Sequence, residues 1–87
     1  MTKEQIAVVK GLMNASKKCA NTYMRAIDTL KDENRPVPEH WNRSYHLCLG
    51  AVTAYDNVLN LVGETQSGFW GTDEIDEGLY QMLIERK

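Results

Sequence analysis

Residues 30–41 read LKDENRPVPEHW, and the two prolines inside that stretch forbid a continuous helix. A residue that precedes proline is driven out of the helical region, so Arg35 and Val37 must be extended. On either side of the break, apolar or small residues recur at alternating steps of three and four. Before it they are Ile6, Val9, Met13, Ser16, Ala20, Tyr23, Ile27 and Leu30; after it they are Trp41, Tyr45, Cys48, Val52, Tyr55, Leu59 and Val62. A heptad seam on each side of a short turn predicts an antiparallel two-helix hairpin, over about 3–32 and 38–62.

The ends of both helices carry their own signals. Thr2 followed by Gln5 fits a capping box, in which each residue satisfies an orphan amide of the other. Pro38 suits the first turn of the second helix, and Gly63 suits a left-handed cap at its end. Farther on, Thr72 reads as an N-cap ahead of Asp73, Glu74, Asp76 and Glu77, and Arg86 and Lys87 close the chain. Acids first and bases last favour the helix dipole, so a third helix is expected over about 73–86. Its apolar stripe would be Ile75, Leu79, Met82 and Leu83.

The fold class expected is therefore all-α: a hairpin plus a short C-terminal helix, forming one helical domain over residues 1–87. A chain of 87 residues buries only about 60–65% of its unfolded surface, which makes its core marginal. Assembly into an oligomeric bundle would supply the rest. If positions whose numbers sum to roughly 70 face each other, Gly50 lies opposite Ala20, and the hairpin narrows to a waist between bulky ends. Gly11, beside Ala15 and Ser16, also suggests close approach of another helix. Such a waist would admit a second hairpin or hold a ligand. The same register puts Cys19 about one turn from Cys48, and reduced, buried thiols are expected there.

Charge is unevenly placed. Residues 1–31 hold six bases against Glu4 and Asp28, a balance of +4, while residues 32–87 hold ten acids against four bases, a balance of −6. The net charge of −2 argues against general nucleic-acid affinity and suits self-association or steering of a charged partner. No run of about 18 apolar residues is present, and the start Met-Thr-Lys-Glu-Gln lacks the layout of a signal peptide. A cytoplasmic setting is expected, the host cytoplasm if the chain is phage-encoded.

Three features carry candidate chemistry. Lys3, Lys10, Lys17 and Lys31 form a line at heptad spacing, with Met24 in the missing place, along one edge of the seam. That line is either a solvated flank or an edge for an acidic partner or anion, with Lys10 and Lys17 beside the waist. Phe69 and Trp70, between Gly68 and Gly71, are either interface anchors or rings that pin the third helix. Glu39, Arg43 and His46 share a helical face with His40 nearby, which reads as an exposed ion pair with a bystander histidine. No nucleophile, phosphate loop or metal spacing accompanies them, which argues against an enzyme and against any cofactor or metal.

As architecture alone, residues 3–62 resemble the small helical-hairpin plasmid regulators that dimerise into four-helix bundles. They also resemble the helical-hairpin sponges by which phages sequester cyclic nucleotide signals. The resemblance carries no site residue across. Together these readings lead to a non-enzymatic, self-associating protein that inhibits or regulates by binding another macromolecule, a protein in the first instance, and that is phage or mobile-element encoded. The second expectation is an oligomeric binder of a small anionic ligand such as a nucleotide, held by Lys10, Lys17, Tyr23 and Tyr55. The third is an RNA-binding four-helix bundle.

Overall fold

The computed structural model describes residues 2–63 and 72–85. Among them are three helices, α1 (Lys3–Asp32), α2 (Glu39–Leu61) and α3 (Glu77–Glu85). The first two form the antiparallel hairpin, and α3 packs along α1.

Local chemistry sets the hairpin's ends as the sequence predicts. The Thr2 amide donates to Gln5 Oε1 at 2.9 Å, and the Gln5 amide donates to Thr2 Oγ1 at 3.1 Å, closing the capping box. At the other end of α1, Asn34 takes a left-handed φ of 56°. That turn lets the Arg35 amide donate to the Leu30 carbonyl at 2.8 Å and the Asn34 amide to Lys31 at 3.1 Å. These are the two bonds of a Schellman motif, with asparagine in the position usually given to glycine. Helix α2 starts directly after Pro38 and gives way to Val62 as its cap, with Gly63 beyond at a φ of +74°.

The seam buries two separate clusters. At the turn end Ala26, Ile27, Leu30 and Trp41 close over one another, joined by Leu83 of α3. At the open end Met13, Val52 and Leu59 pack together, flanked by Ile6, Val9 and Tyr55. Between the clusters lie the fully buried Ala20 and the Cys19–Cys48 contact, so the middle of the hairpin is narrow.

Gly50 is not part of that waist. It is exposed on the outer side of α2, and a Cβ built there would meet nothing within 4 Å. The same is true of Gly11, so no helix of this chain approaches it closely. The reason lies in helix geometry: Gly50 falls two residues from Cys48 and Val52, about 200° around the helix from each, and so points away from α1.

The third helix differs most from expectation. It starts at Glu77, because residues 72–76 are held in a non-helical path across α1. Asn21 Nδ2 donates to the carbonyls of Thr72 and Glu74, at 2.8 and 2.9 Å. The Asp76 amide donates to Thr22 Oγ1 at 2.8 Å, while that hydroxyl donates to the Lys18 carbonyl at 2.7 Å. Thr22, fully buried, thus satisfies its one donor and an acceptor site. Asp76, and not Thr72, is the N-cap, its Oδ1 accepting from the Leu79 amide at 3.1 Å. Thr29 and Tyr80 hydroxyls meet at 2.8 Å; the Thr29 proton goes to the Arg25 carbonyl, so Tyr80 is the donor. This fastening turns Leu79, Tyr80, Leu83 and Ile84 onto α1 and leaves Met82, expected in the apolar stripe, 69% exposed. Arg35 completes the attachment, donating through Nη2 to the Ile84 carbonyl at 3.1 Å in the last turn of α3.

Thr22→Val keeps the shape of the side chain but leaves the Asp76 amide without its acceptor. The expected result is a loss of about 1–3 kcal/mol in urea unfolding, with faster hydrogen exchange in α3, while Thr22→Ser stays near wild type. Gly50→Ala has the opposite sign. With open space for the Cβ and a mid-helix position, it should raise stability by about 0.5–1 kcal/mol in the same assay.

Candidate functional site

Each long helix carries residues one place after the seam and one place before it, about 100° to either side. In an antiparallel pair the "after" positions of both helices share one broad side of the hairpin, and the "before" positions share the other. The two sides have opposite chemistry.

The first side holds the lysine line: Lys3, Lys10, Lys17 and Lys31 on α1, facing Asn42, His46, Thr53, Asp56 and Asn60 on α2. Lys10 and Lys17 are half-buried, whereas Lys31 is exposed beside the turn. Lys3 and Lys10 flank Ile6 and Ala7 in an open groove of about 310 Å³. Asn14, between Lys10 and Lys17 in sequence, buries its Oδ1 without a hydrogen-bond partner. The two tyrosines named with these lysines lie apart. Tyr23 packs on the turn-end cluster and Tyr55 on the open-end cluster. Phe69 and Trp70 fall outside the described residues.

The second side was not read from the sequence. Its positions are Gln5, Val8, Leu12, Ala15, Cys19, Thr22, Ala26 and Thr29 on α1, a full second heptad pattern. On α2 they are His40, Ser44, Leu47, Ala51, Ala54, Val58 and Leu61, at the same spacing. None is an aspartate, glutamate, lysine or arginine. Helix α3 and the non-helical approach to it cover the turn-end part of this second seam, at Thr22, Ala26 and Thr29. The remainder is open: Val8 is 61%, Leu12 45%, Leu47 70% and Leu61 87% exposed. Ala15 and Ala54 are exposed as well, and Cys19, Ala51 and Val58 are half-buried. The signal that could have revealed it is the repeat itself, displaced by one residue from the first.

Other groupings are ordinary surface. Glu39, His40, Arg43 and His46 are all exposed, and no ion pair joins Glu39 to Arg43 among the described residues, contrary to expectation. The His46 ring lies 5.5 Å from that of Tyr45. Among the described residues no three histidine, cysteine or acidic side chains gather as metal ligands, and no helix is long and apolar enough to cross a membrane. A groove of about 490 Å³ beside α1 is lined by Arg25, Asp28, Asp32, Asp73 and Tyr80 among others, a mixed and open surface.

Cys19 and Cys48 are free thiols in contact across the waist. Burial, and then the hydrogen bond and charge of Cys19, push the Cys48 thiol from about 9.0 up to about 12. A thiolate is the nucleophile in thiol chemistry, so a thiol held this high is inert. Alkylation of Cys48 at pH 8 should run about a thousandfold slower than that of an unperturbed thiol, and its rate should keep climbing about tenfold per pH unit past pH 9, where an ordinary thiol levels off; mass spectrometry of timed iodoacetamide reactions measures it. Comparison with known protein families, characterised proteins and solved structures returns no match for this chain.

Proposed function

We propose that this chain is a non-enzymatic interaction protein, self-associating through the hairpin and acting as an inhibitor or regulator by binding another macromolecule. The observation that carries the reading is the uncovered half of the second seam, with Val8, Leu12, Leu47 and Leu61 all open. Single exposed apolar residues are normal on a monomer, but a contiguous apolar face on two adjacent helices marks an interaction surface. Among the described residues the histidines are scattered and exposed and the Cys48 thiol is held protonated, which gives an enzymatic reading no support.

A second reading keeps one specific support. The Lys3–Lys10 groove of about 310 Å³ falls within the size range of small-molecule sites and presents two ammonium groups beside an apolar floor. A small anionic ligand such as a nucleotide suits that chemistry. Binding would raise the melting temperature by mass action, and Lys10→Ala would remove the rise.

The main reading is tested by sedimentation equilibrium of the intact chain across the micromolar range. A mass above the 9.9 kDa of one chain, growing with concentration, is the expected result. A single species of 9.9 kDa at every concentration would sink the self-association.

A further inference from the structure

We infer that Cys19 and Cys48 form a redox switch at the waist of the hairpin, where hydrogen peroxide joins them in a disulfide that ties α1 to α2. The device works within one chain, whatever that chain binds, and so stands apart from the self-association.

Position is the first argument. A disulfide needs Cα atoms no more than about 7 Å apart, while packed helix axes lie about 8–10 Å apart. The two conditions meet only where the side chains between the helices are small. The waist is such a place, with the fully buried Ala20 next to Cys19. Register agrees with this. Counting along the antiparallel helices from Met13 against Val52, and from Ile27 against Trp41, puts Cys19 opposite about residues 46–49. There the two free, half-buried thiols are in hydrogen-bond contact.

Chemistry assigns the two roles. Cys48, held protonated, does not open the reaction; Cys19, on the side of α1 that carries the open seam, does. Its sulfur attacks one peroxide oxygen, forming an S–O bond and breaking the O–O bond, and the departing hydroxide leaves as water with the thiol's proton. Cys19 is then a sulfenic acid, the sulfur oxidised and the peroxide reduced. The Cys48 sulfur attacks the Cys19 sulfur, forming the S–S bond and breaking the S–O bond, and the second hydroxide takes the Cys48 proton as water. Two thiols and one hydrogen peroxide thus give one disulfide and two waters. Contact makes the second step fast, since a neighbour already in place acts at a very high effective concentration. Part of what holds Cys48 protonated is the charge of Cys19, which a sulfenic acid does not carry.

The crosslink has a structural consequence. It closes residues 19–48 into a loop that contains Ala26, Ile27, Leu30 and Trp41 of the turn-end cluster together with both prolines. A disulfide stabilises mainly by restricting the unfolded chain, and a loop of this length lies in the range where that effect is substantial. Small domains short of buried area gain most from such a staple. For a chain of this size the expected rise in melting temperature is on the order of 10 °C. Oxidation would therefore set how firmly the hairpin holds together, and reduction would relax it.

Treatment of the intact, reduced chain with a slight excess of hydrogen peroxide tests this, followed by mass spectrometry without reductant. The expected product is one chain lighter by two hydrogen atoms, formed at a rate independent of protein concentration. Trypsin should release from it a peptide beginning at Cys19 joined to one beginning at Ser44, which carries Cys48. The oxidised chain should melt on the order of 10 °C higher, and dithiothreitol should reverse the shift. In Cys48→Ser, with helicity checked by circular dichroism, Cys19 should stop at the sulfenic acid and be captured by dimedone. Covalent dimers joined through Cys19, a wild-type Cys19 that runs on to the sulfinic acid, or two thiols that stay reduced would each overturn the switch. So would a disulfide-bonded chain whose melting temperature does not rise. The wild-type measurements decide the matter even where Cys48→Ser fails to fold.

Discussion

Two helices packed along a single seam can each bury only one stripe, and the rest of this chain answers to that constraint. The stripe is narrow at its middle, where Ala20 and the two cysteines stand, and it splits the core into a turn-end and an open-end cluster. Each cluster is small. Trp41 anchors the first and Met13 the second, and both side chains are almost completely removed from water. The hairpin is long for its mass: its radius of gyration is 14.8 Å, against about 12 Å for a compact chain of the same length. Length of this kind comes at the expense of buried area, and the missing area has to be found elsewhere.

The turn end finds it in α3, and the means are mostly polar. Asn21 and Thr22 hold the approach, Thr29 holds Tyr80, and Arg35 reaches the last turn. Buried polar contacts of this sort add modest net stability but are expensive to leave unmade, so they specify one docking geometry over its neighbours. A helix of nine residues has little stability of its own. Its register on α1 is therefore set by those partners and by Leu83, not by its own propensity.

The hairpin was legible in the sequence because its determinants are local or periodic: the prolines, the capping box, Gly63 and the repeat of three and four. The start of α3 was not. Thr72 followed by acids is a good local N-cap signal, and it loses to Asn21 and Thr22, which lie more than fifty residues away in sequence. No local rule contains that competition. Met82 was misplaced for the same reason, since a shift in where a helix begins and docks changes which face is inward. Gly50 and Gly11 were read as sites of close approach from their size alone, while their angular position puts them outward. The second seam was hidden by its own composition. Ala15, Ala51 and Ala54 carry no hydrophobic emphasis, and the first seam, with its aromatics, drew the whole signal. The candidate site residues were legible only as a line of lysines, which the structure keeps on one edge without joining them to Tyr23 or Tyr55.

The contrast between the two broad sides gives the proposed pairing a consequence for function. Copies that meet through the apolar side would turn both lysine lines outward, on opposite surfaces of the assembly. The lysine side, where Lys3, Lys10, Lys17 and Lys31 outnumber Asp28 and Asp56, is then presented twice, at two well-separated faces. A partner bearing a repeated acidic surface would gain from engaging both, because the second contact is made at the effective concentration set by the first. A partner touching one face would feel only the weak attraction of a few surface lysines. Pairing would then do more than complete a marginal core: it would turn a lysine flank of little individual strength into a bivalent surface, and dissociation would switch that surface off.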